Sequence, residues 1–484
     1  MSRRVFPVSA DDLVARAREL LASHRLAVIV AHDEGERLRV VYTFLAGPPD
    51  DRVDLVVSLD AEHPAVPSLA EISFPAGRFE RALHDGFGIE PVGHPALRPL
   101  SHHGHWPADY HPMRRGAPAR PTLGSDDLAY PFTAVEGPGV YEIPGGPVHA
   151  GLIEPGHFRF SVVGETILKM TPRLWFLQRG LERLGEGRRP EELLELAERV
   201  SGDSAVAHGL AATLAIEEAT GQRAGRDAWR ARSALLELER ATHHVIDIGA
   251  IVNDTGFSVV QARALVLSER LQRHGADLTG HRLLRGAITP GGGVLRAPLD
   301  AALYREVAEQ LADLVDLATS NTVVADRLSG TAVLGSDDAR RLGVVGVVAR
   351  ASGVAVDARI SHPLTGGATM RTGESGDVRA RFDQRVVEAQ DALALLVRWA
   401  EGDDVDVFDA AASPDGDGLG IVEGWRGMAV HRVSLSGGRV ARWSVTDPSF
   451  GNWPALAIAL RHTIVPDFPL ANKSFNLSYA GNDL

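Results

Sequence analysis

The sequence predicts an α+β fold, in which a small N-terminal α+β domain precedes a mainly helical domain with a β-hairpin start and a C-terminal hairpin. Three observations support this. Apolar residues recur at helical spacing over residues 10–23 and at strand spacing soon after. Gly, Pro, His and Asp are concentrated between residues 101 and 138, as in an extended linker. Further on, Leu, Ala and Val recur every three or four residues over long stretches, which indicates a helical bundle.

The small domain is predicted to contain an amphipathic helix, three strands and a short closing helix. The helix covers residues 10–23, and the strands lie at residues 27–29, 38–42 and 53–59, where apolar residues alternate or run together. The linker composition then marks the boundary. The predicted division is residues 1–115 for the small domain, 116–138 for the linker and 139–484 for the large domain.

The large domain begins with predicted strands around a Gly- and Pro-rich turn at residues 140–170, and a hairpin is predicted at residues 428–446. Residues 453–464 predict an amphipathic helix with Pro454 in its first turn. Alternation at residues 475–479 predicts a short strand with buried Phe475, Leu477 and Tyr479. The helices between are predicted at residues 191–219, 228–252, 258–275, 303–319 and 383–401.

The composition excludes several kinds of protein. The chain has 484 residues, 44% of them hydrophobic and 23% charged, which is typical of a globular protein with two or three domains. A net charge of −13 argues against nucleic-acid binding. No apolar run approaches the roughly 18–20 residues that span a bilayer, and the start of the chain has no signal-peptide pattern. Because the chain has no cysteine, it forms no disulfide and cannot ligate an iron–sulfur cluster through thiolates.

Several motifs occur in a fixed order along the chain. They are FGI at residues 87–89 with GHP at 93–95 and HPMR at 111–114, GPVHAGLIEPGHFRF at 146–160, ERVSGDS at 198–204 with His208, RASG at 350–353 with Asp357 and Arg359, ESGD at 374–377 with Arg381, and DPSFGN at 447–452. In this order they resemble the large subunit of membrane-bound nickel–iron hydrogenases of the formate hydrogenlyase class. They also resemble the adjacent C and D peripheral-arm proteins of complex I (NADH-quinone oxidoreductase), here fused into one chain.

The resemblance identifies four former metal-ligand positions: Ser201, Ser204, Ser449 and Asn452. These are cysteines in the hydrogenases, and hydroxyl and amide groups cannot replace thiolates around a soft transition metal. We therefore expect a hydrogenase-like framework without its metal and without hydrogen activity. The residues themselves favour a structural role, with Ser201 as a helix N-cap and Ser449 doing the same in a turn.

Two further groups of residues are candidates for a pocket or a proton relay. His149, Glu154 and His157 lie on a Gly- and Pro-rich loop, where a histidine near neutral pKa can pass a proton to a quinone oxygen. The alternative is that these side chains only bond the backbone of the turn. Asp357 and Asp377, with the nearby arginines, match charged positions that relay protons in the resembling families. Their alternative is a structural network of buried ion pairs.

The histidines in HHGH at residues 102–105 are predicted to lie in a solvated linker, because no second cluster with metal-ligand spacing accompanies them. The chain has no Gly-rich motif for NAD or phosphate, and in complex I another subunit binds NAD.

The resemblance implies an oxidoreductase subunit on the cytoplasmic face of the membrane, peripheral to a complex-I-like assembly. It would pass electrons from an iron–sulfur cluster on a small partner subunit to a quinone or similar acceptor, with membrane subunits as further partners and no cofactor held by this chain alone. Arg199 and Asp203 make the expected pocket more polar than a typical quinone site. The alternative function is a redox-inactive scaffold or coupling subunit of an ion-translocating complex.

Overall fold

The structure is a computed structural model that describes residues 3–125, 130–150, 153–407 and 416–484. Two predicted features extend outside these ranges: the linker, at residues 126–129, and the hairpin motif, at Gly151 and Leu152. A small sheet domain precedes a mainly helical domain, so the predicted α+β class is confirmed.

The N-terminal domain is a four-stranded sheet with two helices packed against it. Its elements are β1 (Arg4–Pro7), α1 (Ala10–Leu21), β2 (Arg25–Asp33), β3 (Arg37–Ala46), β4 (Asp51–Asp60), β5 (Ala65–Pro67), α2 (Phe74–Phe87) and β6 (Glu90–Val92). The strand order is β1-β4-β3-β2, with β1 parallel to β4. The predicted helix and three strands are confirmed, whereas β1 was not predicted. Ser9 starts α1 because its hydroxyl accepts the Asp12 N–H.

The extended segment after β6 is docked on the N-terminal domain. In its described residues it contains no helix or strand before residue 140, as a linker should. However, Asp85 accepts the N–H groups of Leu100 at 2.8 Å and Ser101 at 2.7 Å, and Arg114 pairs with Asp33 at 3.1 Å. These bonds anchor the first part of the segment along the small domain.

The large domain combines two three-stranded antiparallel sheets with a bundle built around α6, α7, α8 and α13. Its elements are β7 (Val140–Gly145), β8 (His157–Val163), β9 (Thr166–Arg173), α3 (Leu181–Gly185), α4 (Pro190–Ala197), α5 (Ala205–Thr220), α6 (Arg226–Asn253), α7 (Ser258–Thr279), β10 (Ile288–Thr289), β11 (Gly292–Gly293), α8 (Ala301–Thr319), α9 (Thr322–Leu328), α10 (Ser336–Leu342), α11 (Gly346–Ala351), α12 (Ala358–Ser361), α13 (Val378–Ala400), β12 (Asp417–Glu423), β13 (Met428–Ser436), β14 (Arg439–Thr446), α14 (Pro448–Ala459), a 3₁₀ turn (Val465–Asp467), α15 (Phe468–Phe475) and α16 (Tyr479–Asp483).

Three local predictions in the large domain are wrong. The helix predicted at residues 191–219 is split into α4 and α5 by the turn at residues 198–204. Pro454 lies inside α14, because that helix begins at Pro448. The strand predicted at residues 475–479 is absent: Asn476 takes a left-handed conformation (φ 45°) that ends α15, and Ser478 caps α16. The predicted burial of Phe475, Leu477 and Tyr479 is confirmed.

A seam of buried contacts joins the two domains. Leu419 and Ile421 of β12, and Met428 and Val430 of β13, belong to the apolar core of the N-terminal domain. On its other face, β12 lies directly on α5: a Cβ added at Gly420 would lie 1.8 Å from Ala211 O, so only glycine fits there.

Ion pairs reinforce this seam. Asp54 of the N-terminal sheet pairs with Arg432 of β13 at 2.8 Å and with Arg3 at 3.2 Å. Glu218 of α5 pairs with Arg3 at 3.1 Å and with Arg52 at 3.3 Å. The two predicted domains therefore share both a core and a buried charge network.

Candidate functional site

The four former ligand positions lie near the starts of two helices. Ser201 and Ser204 belong to the turn that leads into α5, and Ser449 and Asn452 lie in the first half of α14; all four are buried. Ser478, which lies in the C-terminal segment (residues 476–484), connects the two pairs. Its hydroxyl lies 2.9 Å from Ser201 Oγ, and its N–H donates to Ser449 Oγ at 2.9 Å. We call the following set the former ligand centre: Ser201, Asp203, Ser204, Arg426, Ser449, Asn452 and Ser478.

Arg426 occupies the former ligand centre. Its guanidinium makes a two-point ion pair with Asp203, with Nη1 2.6 Å from Oδ1 and Nη2 bonded to Oδ2. Nη1 also donates to Ser204 Oγ at 3.1 Å, and Nε donates to Asn476 O at 2.6 Å. A guanidinium offers only donors, and its charge repels a metal cation. The residues present therefore do not fit a nickel–iron group.

One partner of the ion pair in the former ligand centre reaches solvent. Arg426 is buried, whereas the Asp203 side chain is 35% exposed. Burial works to raise the pKa of Asp203, but the adjacent Arg426 guanidinium outweighs it and holds that pKa well below its usual range. Both groups are consequently charged at neutral pH.

The N-cap role predicted for Ser201 is wrong, whereas Ser449 Oγ does accept a backbone N–H, from Ser478 and not from its own turn. Ser204, not Ser201, stands at the N-cap of α5, and the side chain that accepts the free N–H groups of Val206 (2.7 Å) and Ala207 (3.0 Å) is Glu239 of α6. Burial raises the pKa of Glu239 to about 8, although these two bonds oppose the shift.

At the second pair, the helix cap is Asp447, whose Oδ1 accepts the Ser449 N–H at 2.6 Å. Asn452 bonds the backbone of Val345 twice, accepting its N–H and donating to its carbonyl, each at 3.0 Å. Both former ligand positions of α14 therefore act as backbone partners.

A directional chain of hydrogen bonds ends beside the former ligand centre. Trp443 Nε1–H donates to His431 Nδ1 at 3.1 Å, which leaves the proton of neutral His431 on Nε2. His431 lies 2.9 Å from His208 Nδ1, and His208 Nε2 lies 2.9 Å from Asp447 Oδ2. Because Trp443 can only donate, the bonds run from Trp443 to the Asp447 carboxylate. Burial holds the pKa of His431 well below its usual value.

We call residues 146–157 the opening loop; Gly151 and Leu152 lie outside its described part. The two histidines of this loop bond the loop backbone. His149 Nε2 donates to Gly156 O at 2.7 Å, and His157 Nδ1 donates to Gly146 O at 3.3 Å. The remaining nitrogen of His157, Nε2, is buried and has no hydrogen-bond partner. The loop backbone thus fixes one nitrogen of each ring and leaves the other as an acceptor.

Two described residues of the opening loop expose apolar side chains to solvent. Val148 is 87% exposed and Ile153 55% exposed. Next to them, Glu154 Oε2 accepts the Ala480 N–H at 3.0 Å. Ala480 lies two residues after Ser478, so the C-terminal segment connects the loop to the former ligand centre.

A second buried charge cluster, which we call the Arg350 network, contains Asp357. Arg350 pairs with Glu423 at 2.7 Å, with Glu388 at 2.8 Å and with Asp357 at 3.4 Å. Arg359 closes the cluster by pairing with Asp357 at 2.6 Å. Although burial alone would raise the pKa of Asp357, Arg350 and Arg359 lower it. The predicted ion-pair network at Asp357 is therefore present.

Asp377 lies outside the Arg350 network and caps a helix. Its carboxylate accepts the N–H groups of Ala380 and Gly330, each at 2.8 Å, at the start of α13. Arg381 donates instead to Ser474 Oγ and to the carbonyls of Gly376 and Ala332. The structure thus separates the two acidic residues that the sequence placed together.

The histidine cluster at residues 102–105 is half-buried, so the predicted solvated linker is wrong at this point. His102 stacks on Trp106 with ring centroids 5.0 Å apart. Within the described residues no group of three or more His, Asp or Glu side chains could hold a metal ion. The cluster borders a cavity of about 620 Å³ whose walls include His102, His103, Trp106, His111, Tyr130 and Phe132.

Sequence reasoning missed Arg426 and Glu239, the two residues that most define the former ligand centre. Arg426 stands alone between Trp425 and Gly427 in an apolar stretch, and a charge in such a setting signals a buried partner. Glu239 gives no such signal, because it lies among alternating charged residues of an ordinary helix.

Two family models match separate parts of the chain. The family described as "Respiratory-chain NADH dehydrogenase, 30 Kd subunit" matches residues 6–122. The family described as "Respiratory-chain NADH dehydrogenase, 49 Kd subunit" matches residues 254–402. In the described residues, none of the helices combines the length and apolar character needed to cross a bilayer.

Individual relatives extend the similarity over most of the chain. Formate hydrogenlyase subunit 5 of Escherichia coli is 32% identical over 447 residues, which cover 88% of this chain and 78% of that protein. Hydrogenase-4 component G of the same organism is 31% identical, with coverage of 88% and 77%. The C/D subunit of NADH-quinone oxidoreductase from Bacteroides thetaiotaomicron is 26% identical, with coverage of 87% and 88%.

A solved structure supports the fold. A chain of the membrane-bound sulfane sulfur reductase, an archaeal respiratory membrane complex, superposes with a TM-score of 0.64 at 24% identity. The match covers 71% of this chain and 98% of that chain.

Proposed function

Because the chain belongs to the family of formate hydrogenlyase subunit 5 and hydrogenase-4 component G, with fused complex-I-type modules, we propose that it is the large peripheral subunit of a membrane redox complex. In this role it works without a nickel–iron site of its own. The observation that supports this most directly is the Arg426–Asp203 pair, which occupies the former ligand centre.

The electron donor in this proposal is an iron–sulfur cluster on a small partner subunit, because this chain has no cysteine to hold one. The complex lies against the cytoplasmic face of the membrane, with membrane subunits as further partners. Two printed names support membrane partners: a relative in Pyrococcus furiosus is the alpha subunit of a membrane-bound hydrogenase, and the sulfane sulfur reductase is described as a respiratory membrane complex.

The acceptor in this proposal is a quinone or a similar small molecule at the opening loop. His149 donates through Nε2 to Gly156 O, which leaves Nδ1 as a proton acceptor, and the apolar Val148 and Ile153 lie exposed beside it. Quinone reduction takes up two electrons and two protons, so a nearby imidazole and carboxylate are useful groups. Glu154 and His157 complete this set on the same loop.

A second candidate is a redox-inactive scaffold or coupling subunit. The side chains of the former ligand centre are already bonded to one another and to the C-terminal segment, so their polar groups need no redox group as a partner. In that case the Arg350 network, with Asp357, would serve only to hold the packed core together.

The test measures quinone reduction by the whole complex. The complex is purified from its native host by an affinity tag on this chain. With chemically reduced donor clusters, we expect quinone reduction and less than about 0.1 nickel per chain by elemental analysis. His149→Ala should lower the quinone rate at least tenfold, whereas His63→Ala, at an exposed position of the small domain, should leave it unchanged.

Three results would change this assignment. One nickel per chain with hydrogen uptake would overturn the loss of the metal site. A complex whose small partner lacks cluster cysteines, and which reduces no quinone, would favour the scaffold. Equal quinone rates in His149→Ala and wild type would remove the loop from the reaction.

A further inference from the structure

A small cavity lies on the seam between the two domains, away from the opening loop. It has a volume of about 40 Å³ and is bordered by β2 and α2 of the small domain and by the start of α14. Its walls are apolar at Leu26, Phe79 and Phe450, and two arginines, Arg25 and Arg78, also line it. The cavity therefore combines a small volume with two positive charges.

Neither arginine has the partners that its charge requires. Arg25 makes one long bond, from Nη2 to Gly343 O at 3.4 Å, and its Nη1 is buried without an acceptor. Arg78 makes one long bond, from Nη2 to Asn482 Oδ1 at 3.4 Å, and its Nε is buried without an acceptor. Its guanidinium also lies 4.7 Å from the centre of the Phe450 ring, a contact that supplies no oxygen acceptor. In the described residues, the side-chain hydrogen bonds of Arg25 and Arg78 run to a carbonyl and an amide oxygen and not to a carboxylate.

Several other buried arginines bond a carboxylate, and buried Arg381, which does not, donates to three neutral acceptors. Arg350, Arg426 and Arg432 each bond at least one carboxylate at 2.8 Å or less. Burial of a charge without a counter-ion is unfavourable, and it lowers the pKa of Arg25 to about 10 and that of Arg78 to about 9. The two arginines that line this cavity therefore have no carboxylate counter-ion among the described residues.

The one carboxylate at the cavity wall does not fill this need. Asp447 lines the cavity, but its Oδ2 is bonded to His208 Nε2 at 2.9 Å and its Oδ1 to the Ser449 N–H at 2.6 Å. Both oxygens therefore face the interior of the large domain. Arg25 and Arg78 therefore line the cavity with one guanidinium nitrogen each that has no acceptor.

We propose that this cavity binds a small oxyanion, held by Arg25 and Arg78. A water needs about 10–15 Å³ of such volume, so the cavity has room for about three waters, or for one phosphate-sized or formate-sized ion in their place. Guanidinium groups bind the oxygens of such ions through charge-assisted hydrogen bonds. The apolar walls and the small volume exclude nucleotides and larger organic acids.

The test is isothermal titration of inorganic phosphate into the full chain at pH 7, in chloride buffers of matched ionic strength. We expect saturable binding of one phosphate per chain. Arg25→Gln and Arg78→Gln should each weaken it at least tenfold, because each removes a charged donor. Arg16→Gln is the control, since Arg16 is exposed and pairs only with its helix neighbour Glu19.

The wild-type titration decides the proposal even if a glutamine variant misfolds. Absence of saturable heat with phosphate, and also with formate and sulfate, would overturn it. Unchanged affinity in both folded glutamine variants would overturn it as well. Arg25→Lys and Arg78→Lys retain the charge and should bind with intermediate affinity, which separates loss of the cation from loss of the fold.

Discussion

The former ligand centre and the Arg350 network are both buried clusters of charge, but they are built differently. In the former ligand centre one arginine meets one carboxylate, with serine hydroxyls around them. In the Arg350 network one arginine contacts Glu388, Glu423 and Asp357, and Arg359 adds a second cation. An isolated pair has no substitute for a lost partner, whereas a network has several. The two clusters should therefore respond differently to the same kind of substitution.

The largest effect is expected from Asp203→Leu, which leaves Arg426 buried without its counter-ion. Removal of one partner of a buried pair destabilises by about 3–5 kcal/mol, and partial exposure of Asp203 places the loss near the lower end. Urea denaturation measures it. The double variant Asp203→Leu with Arg426→Met should recover most of the loss, and no recovery would show that the pair is not the source.

The next effect concerns His244, which borders the Arg350 network through Glu388 at 3.3 Å. Burial lowers the pKa of His244 to about 4. The folded state then binds fewer protons than the unfolded state, whose histidine pKa is about 6.5, so the stabilisation from neutral His244 is complete above pH ~6.5 and is lost as pH falls to about 4. The loss is on the order of 3 kcal/mol.

Denaturation of wild type and His244→Phe between pH 7.5 and 4 checks this window. The variant should show a flatter pH profile, and His63→Phe, at an exposed position, should follow the wild-type profile. Parallel profiles for His244→Phe and wild type would contradict the neutral, buried state of this imidazole.

A smaller effect is expected from Asp357→Ala. Arg350 keeps Glu388 and Glu423 as partners, and Arg359 is partly exposed, so we expect a loss of about 2 kcal/mol. This value should fall below that of Asp203→Leu in the same denaturation series. The reverse order would mean that a connected network loses as much stability as an isolated pair when one charge is removed.

The smallest effect is expected from Asp377→Ala, which removes a helix cap outside both clusters. The loss should be about 1 kcal/mol, and Asp377→Asn should lose less because an amide oxygen can still accept the N–H groups. A loss as large as that of Asp357→Ala would place Asp377 in a buried charge network after all.

Short-range patterns predicted those parts of the fold that depend on neighbouring residues. The strands β2, β3 and β4 and the helices α6, α7 and α8 follow from apolar spacing alone. The residues at 475–479 alternate as in a strand, but the left-handed conformation of Asn476 and the cap at Ser478 end one helix and begin another. The spacing of apolar residues does not predict where one short helix ends and the next begins.

The sequence predicted the four former ligand positions, but it did not predict their hydrogen-bond partners. Motif resemblance located Ser201, Ser204, Ser449 and Asn452, which the structure places near the starts of α5 and α14. Their bonding depends on residues that are distant in sequence: Glu239 caps α5 from the next helix, and Arg426 reaches Asp203 across 223 positions. Such contacts follow from tertiary packing, for which a single sequence offers no spacing rule.

The seam between the two domains has a consequence for assembly. The families that match the two parts are described as a 30 Kd subunit and a 49 Kd subunit. In this chain the contact between the two parts is intramolecular, and the tether gives it an effective concentration on the order of millimolar. Dilution therefore cannot separate the two halves, and the Asp54–Arg432 and Glu218–Arg52 pairs need only set their alignment. A tethered seam can consequently tolerate uncompensated charges, such as those of Arg25 and Arg78, that would weaken docking between two free proteins.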